Sequence, residues 1–228
     1  MTPDPATEAS IKLSKSSIIV LCLAASAVVA FLFEVQLYTS ISTSVQSSAV
    51  LSALAVFCSE PLLILLVLSS AAIGVWSWFK DRSVFWTIAA GAVGVIAAYA
   101  VSTILKQLVN EQRPCQSIHV ATVLECPPLG DWSWPSNHSV IAGAFATACI
   151  LALPALRWYF ATAAALVALS RVGAGAHYLH DALTGLALGT LIVVIAVSVV
   201  RPLLVKHLPP KLVEGAGPAI LDRADAAE

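Results

Sequence analysis

Three stretches of this chain, Pro61–Phe79, Val84–Leu105 and Ala182–Val200, run without a single charged residue. As a helix, each is long enough to cross the roughly 30 Å hydrocarbon core of a bilayer. In lipid every backbone polar group must be satisfied within the chain, which makes such runs helical. Three further apolar runs extend the series: Ser16–Phe33, Ser139–Leu153 (stopped by Pro154) and the shorter Trp158–Leu169. Charged residues make up only 11% of the chain, whereas a water-soluble surface needs roughly 25–35%. That shortfall excludes a soluble enzyme, a disordered linker, a nucleic-acid binder and a coiled coil. A formal net charge of −1 gives no attraction to a polyanion such as nucleic acid. The expected fold is all-α: an integral membrane bundle of six transmembrane helices over residues 16–200. A cytoplasmic tail, 1–15, precedes it, and a mostly disordered cytoplasmic tail, 201–228, follows.

Local signals refine this layout. Ser59 reads as the N-cap of the second span, with Pro61 at its first turn. The serine-studded stretch Val45–Cys58 before it reads as an interfacial or re-entrant helix. Gly91 and Gly94 suit close helix packing in the third span. Six spans place both termini on one side. Nine of the twelve basic residues fall on that side (Lys12, Lys15, Lys80, Arg82, Arg157, Arg201, Lys206, Lys211 and Arg223), which makes it cytoplasmic. The competing reading of the first span is a cleaved signal peptide, with its basic start and Ala25–Ala27; cleavage leaves the other spans oriented as before.

Lys106, Arg113 and Arg171 break the charge rule on the opposite face, and each belongs to a polar cluster at a span end. Lys106 and Arg113 are two helical turns apart, so a continuing helix would put both on one face. Alone, they also read as a snorkelling juxtamembrane pair. Trp134-Pro135-Ser136-Asn137-His138 opens the fourth span. Ser136 and Asn137 read alone as caps, yet a helix N-terminus with a hydroxyl is also an anion site. His138 adds a group that exchanges a proton near neutral pH. In the third cluster, Ser170 to Asp181, His177 and Asp181 are four apart, so the carboxylate can fix the imidazole's tautomer. Gly173 and Gly175 allow a tight turn between Arg171 and His177. Three cations suit a phosphate dianion, and two histidines suit the two proton-handling steps of phosphate ester hydrolysis.

Lys-x6-Arg-Pro, then Pro-Ser-x-His, then Ser-Arg-x5-His-x3-Asp resembles the signature of the type 2 phosphatidic acid phosphatase family, whose superfamily includes the vanadium haloperoxidases. The resemblance covers Lys106 to Asp181, and the span layout extends it. It implies that His177 is the nucleophile, that Asp181 orients it, and that His138 is the general acid. Lys106, Arg113, Arg171, Ser136 and the Asn137 backbone would hold the phosphoryl oxygens. It further implies hydrolysis without metal or cofactor. Asn137 stands where the family has glycine; asparagine is next best for a positive φ, so the backbone contact is expected to survive.

Other residues fall around this site. Cys115 and Cys126 are expected to form a disulfide in an oxidising compartment, with Cys22, Cys58 and Cys149 reduced. His180 invites a zinc reading with His177 and Asp181, which no metalloprotease motif supports; it reads instead as an interfacial or supporting residue. His119 reads as a solvated loop residue and His207 as part of the tail. Ser170, Glu60 and Trp134 are candidates for headgroup contact or for supporting the site. The expectation is therefore a phosphatase acting on a membrane lipid at the extracytoplasmic edge of the cell membrane. Its first-choice substrate is a polyprenyl diphosphate. Phosphatidic acid, phosphatidylglycerol phosphate and a polyprenyl-linked sugar phosphate are the alternatives. Two rivals remain at this stage: a non-enzymatic transporter or scaffold binding anionic lipid, and a haloperoxidase, whose known forms are water-soluble.

Overall fold

The computed structural model describes residues 5–118 and 120–213, with the side chains of 5–15, 210 and 211 not described; every described secondary-structure element is helical. In order these are α1 (Pro5–Leu32), α2 (Glu34–Gln46), α3 (Ala49–Ser59), α4 (Pro61–Lys80), α5 (Arg82–Val109), α6 (Pro114–Ser117), α7 (Asn137–Ala152), α8 (Arg157–Gly173), α9 (Leu179–His207) and α10 (Pro210–Val213). A short 3₁₀ turn at Pro154–Leu156 joins α7 to α8.

Three helical units are long and apolar enough to cross a membrane: Ala49–Lys80, Arg82–Ser117 and Leu179–His207. The pair Ser16–Leu32 and Glu34–Gln46, bent by 91°, would make a fourth if taken as one span. By that measure α7 and α8 fall short, since 16 and 17 residues of helix rise only about 24–26 Å. The stretch Val45–Cys58 is not a separate interfacial helix. Its apolar part is α3, which runs on into α4 through a single break at Glu60. Ser59 ends α3 rather than capping α4, and its hydroxyl accepts from Arg171 instead. The outer surface stays apolar, with Ile18, Ile64, Ile96 and Ile195 all exposed. A surface of this kind requires lipid cover.

α7 is the centre of the bundle, packed against α5, α8 and α9. It is apolar all round and nearly all buried, as a helix without a solvent face must be. Small residues bring the backbones together. A Cβ on Gly189 of α9 would lie 2.2 Å from the carbonyl oxygen of Val140, and one on Gly94 of α5 would lie 2.9 Å from the Val193 Cα. Gly189→Ala therefore forces α7 and α9 apart, and overpacking of this sort costs about 1–3 kcal/mol. The expected outcome is a lower melting temperature in detergent than for the parent chain.

The C-terminal tail expected from Arg201 is ordered where it is described. α9 continues through Arg201 and Pro202 to His207, because Arg201 donates to Ser83 Oγ at 2.9 Å and anchors the helix to α5. The indole of Trp86 then donates to the Leu212 carbonyl at 3.2 Å. At the other end α1 begins at Pro5, inside the expected N-terminal tail. Residues 214–228, with Arg223, lie outside the described residues, as does His119.

Candidate active site

The three polar clusters converge at one end of the bundle, by a route that differs from simple helix periodicity. α5 does not carry Arg113. It stops at Asn110, whose left-handed backbone (φ 55°, ψ 37°) and N–H bond to the Lys106 carbonyl close the helix. The chain turns, and Arg113 enters in extended conformation just before α6. His177 likewise precedes α9, in the loop that follows α8. There Gly175, at φ 87°, makes the turn, and the N–H groups of Ala176 and His177 donate to the Arg171 carbonyl at 3.0 and 3.2 Å. A Cys115–Cys126 disulfide closes the loop after Arg113, and the Gln116 amide ties it to the carbonyls of Pro127 and Pro128.

His177 lies at the middle of the site, 1% exposed. Its Nδ1 faces Asp181 Oδ2 at 3.2 Å and its Nε2 faces Arg113 Nη1 at 2.9 Å. Arginine only donates, so Nε2 is the accepting nitrogen and Nδ1–H donates to the carboxylate. Burial holds this imidazole far below the ordinary histidine range, against the opposing pull of Asp181. At neutral pH the ring is therefore unprotonated at Nε2, whose lone pair accepts from Arg113.

Asp181 is fully buried. Its Oδ2 also accepts the Ser133 hydroxyl and the Tyr178 N–H, the latter at 2.9 Å as part of a capping box at the start of α9. The cations are also pinned. Lys106 donates to the carbonyls of Trp132 and Ser133. Arg113 donates from Nε to the Asp131 carbonyl at 2.8 Å, from Nη2 to the Asp131 carboxylate at 2.9 Å, and from Nη1 to the Ala176 carbonyl at 3.0 Å. Arg171 donates to Ser59, and its Nε is buried without a hydrogen-bond partner among the described residues. The same holds for Ser136 Oγ at the start of α7. Arg171, Arg113 and Lys106 all act electrostatically on His138, in the first turn of α7.

Lys106, Arg113, Arg171, His138, His177, Asp181 and Ser136 are thus grouped at one end of the bundle, while Trp134 lines a cavity with Phe31, Val109, Glu111 and His180. Two expectations are corrected. Asn137 does not use a positive φ: it is the first residue of α7, and Asn110 is the positive-φ non-glycine residue among those described. Its side chain accepts from Ser102 at 2.6 Å and so ties α7 to α5. Ser170 turns its hydroxyl back on its own helix, to the Val167 carbonyl at 2.7 Å, because at that position in α8 the i−3 carbonyl is the nearest acceptor. Glu60 is exposed and acts electrostatically on Arg171. Sequence reasoning missed Ser133 and Asp131. Both lie in a loop with no periodicity, and only their position just ahead of Pro-Ser-Asn-His offers a signal.

A model of the PAP2 superfamily matches residues 86–203. Over 108 residues, 47% of this chain and 52% of the relative, the sequence is 29% identical to an undecaprenyl-diphosphatase of Sulfolobus acidocaldarius. Over 99 residues, 42% of each protein, it is 32% identical to a lipid A 1-phosphatase of Rhizobium etli. The chain spans about half the length of the curated relatives it matches. A crystal structure of a transmembrane PAP2 type phosphatidylglycerolphosphate phosphatase from Bacillus subtilis superposes with a TM-score of 0.55 at 21% identity, over 83% of this chain and 96% of that one. At that identity the likeness is one of fold. With the family match extending from α5 into α9 and taking in every residue of the convergent cluster, this chain belongs to the PAP2 superfamily.

Proposed function

We propose that this chain is a membrane phosphatase that removes phosphate from a lipid without a metal ion, through a phosphohistidine intermediate. The observation that carries the reading is the meeting of three buried cations, Lys106, Arg113 and Arg171, around a neutral, carboxylate-bound His177. Buried cationic groups cost free energy unless an anion compensates them. The unpaired Arg171 Nε and Ser136 Oγ are groups a phosphoryl oxygen satisfies.

The steps follow from the geometry. As a phosphoryl oxygen takes over the Arg113 Nη1–H, Nε2 of His177 is freed and attacks phosphorus in line with the leaving oxygen; a P–N bond forms and the P–O bond breaks. Asp181 holds Nδ1–H and stabilises the positive charge that develops on the ring. His138, protonated as the bound phosphate's charge offsets the three cations around it, gives its proton to the leaving oxygen, then takes one from the water that attacks the phosphohistidine. The P–N bond breaks, inorganic phosphate leaves and His177 is regenerated. Throughout, the three cations stabilise the charge spread over the equatorial oxygens. An anion-binding scaffold or transporter needs the cations alone and leaves the His177–Asp181 pair unexplained.

For the substrate, we favour a polyprenyl diphosphate. The name of one relative, undecaprenyl-diphosphatase, supports that class, while the lipid A 1-phosphatase relatives favour a phosphorylated glycolipid as the second reading. The bundle is read as six spans over residues 16–200, with α7 and α8 as short spans, flanked by cytoplasmic tails. The nine basic residues gathered on one side support an active site at the extracytoplasmic edge of the cell membrane.

The test is phosphate release by detergent-purified protein from a panel of lipid phosphates: polyprenyl diphosphate, phosphatidylglycerol phosphate, phosphatidic acid and a lipid A phosphate. Release is expected to be unchanged in EDTA, because the cations and histidines supply the charge and proton transfers a metal would otherwise provide. It is expected to be inhibited by vanadate, which occupies a phosphoryl site. Loss of activity in EDTA refutes the metal-free mechanism, and no release from any lipid refutes the enzyme reading.

A further inference from the structure

His180 lies one residue before Asp181, and the mechanism above does not use it. It is 3% exposed, with three carboxylates around its ring. Nε2 makes its hydrogen bond to Glu111 Oε1 at 3.0 Å and lies 3.1 Å from Asp181 Oδ1, an ion-pair contact in which Oδ1 has no hydrogen-bond partner among the described residues; Nδ1 is 3.8 Å from Glu34 Oε2 and likewise has none. The ring is fixed by packing as well as by charge. It stacks on Tyr178, with centroids 5.4 Å apart and planes at 13°, and meets the edge of Phe31 at 5.2 Å.

The two oxygens of Asp181 therefore have different tasks. Oδ2 takes the His177 ring, the Ser133 hydroxyl and the Tyr178 N–H, while Oδ1 faces His180. A carboxylate gripped through one oxygen alone can still pivot about its Cβ–Cγ bond. The His180 cation beside Oδ1 attracts the second oxygen and opposes that pivot, so the carboxylate presents one acceptor to Nδ1 of the nucleophile. Glu111 comes from the loop between α5 and Arg113, and Glu34 from the elbow where α1 meets α2. The imidazole thus ties both to the carboxylate behind the reacting ring.

We infer that His180 is a positioning residue: clamped by Glu111 and Glu34, it holds Oδ1 of Asp181 and keeps that carboxylate aimed at His177. This rests on the phosphatase reading above. Loss of the clamp misorients the nucleophile without touching Lys106, Arg113 or Arg171. A small misplacement of a reacting group costs up to about 10²-fold in rate, so the loss falls on kcat and spares KM.

His180→Phe tests this, because phenylalanine keeps the ring packing against Tyr178 and Phe31 and removes both nitrogens. With the best substrate of the lipid panel, kcat is expected to fall about tenfold to a hundredfold with KM unchanged. In an Asp181→Asn background the same change is expected to have little further effect, since His180 acts through that carboxylate. Glu111→Gln is expected to lower kcat in the same sense but less, and it stands in as the test if His180→Phe does not fold. Unchanged kcat in an active preparation, a fall carried by KM, or an equal further loss in the Asp181→Asn background overturns the inference. A parent chain that releases no phosphate from any lipid points instead to failure of the phosphatase reading.

Discussion

Replacing His177 by alanine is expected to lower phosphate release by at least about 10⁴-fold, the usual scale for losing a nucleophile. The expectation rests on position. The ring is the buried meeting point of Arg113 on one nitrogen and Asp181 on the other, so no neighbouring group can take its place on phosphorus. Rapid acid-free quenching of the parent enzyme with labelled substrate should capture a phosphorylated protein, stable to base and labile to acid, as expected for a phosphohistidine. The variant should show none. A variant that folds and still turns over within tenfold of the parent would falsify the covalent route. The substitution empties a fully buried position, so the variant's melting temperature in detergent is measured alongside; a small drop is expected and does not bear on the chemistry.

Much of this site is legible in the sequence, because charge out of place in a lipid setting demands a reason. Lys106, Arg113 and Arg171 stand out as cations on the wrong side of an otherwise consistent charge layout. His177 and Asp181 stand out by spacing. The spacing argument reaches the right contact through the wrong local structure, however. Helical periodicity puts Lys106 with Arg113, and His177 with Asp181, each on one helix face. In the structure Asn110 ends α5 before Arg113, and α9 starts after His177. His177 meets Asp181, and Lys106 and Arg113 bond to the same loop at 131–133, through turns tied down by main-chain hydrogen bonds, which a linear pattern does not encode.

α2 shows the other limit. Its sequence, Glu34 to Gln46, spaces Leu37, Ile41 and Val45 at helical intervals among Ser, Thr and Gln, but nothing in it announces that this helix turns 91° from α1. Yet α2 covers the loop that carries His177. Tyr38, fully buried, donates to the Gly175 carbonyl at 3.2 Å, and Val45 packs on Gly173. Ser133 and Asp131 are hidden for a related reason: a serine and an aspartate in a loop are unremarkable until tertiary contacts place one on Asp181 and the other on Arg113. What stays invisible is the set of residues that hold the charged groups still.

His138→Ala should cost about 10²–10⁴-fold in rate, the range for a general acid–base group, and the size of the loss should depend on the leaving group. His138 is half-buried in the first turn of α7, in the field of the same three cations that hold the phosphate. It is placed to protonate an oxygen departing from the site. An alkoxide leaving from a lipid phosphate monoester is strongly basic and needs that proton most. The phosphate ester leaving from a polyprenyl diphosphate is far less basic and needs it less, as does a nitrophenolate. Turnover of a lipid monoester, a lipid diphosphate and p-nitrophenyl phosphate by parent and variant should therefore show the largest loss on the monoester and smaller losses on the other two. An equal loss on all three would remove His138 from protonation of the leaving group, since neither a contact to the transferred group nor activation of water depends on what departs. A residual loss common to all three is expected even so, because the same histidine activates water to clear the phosphohistidine, a step in which the leaving group has already gone.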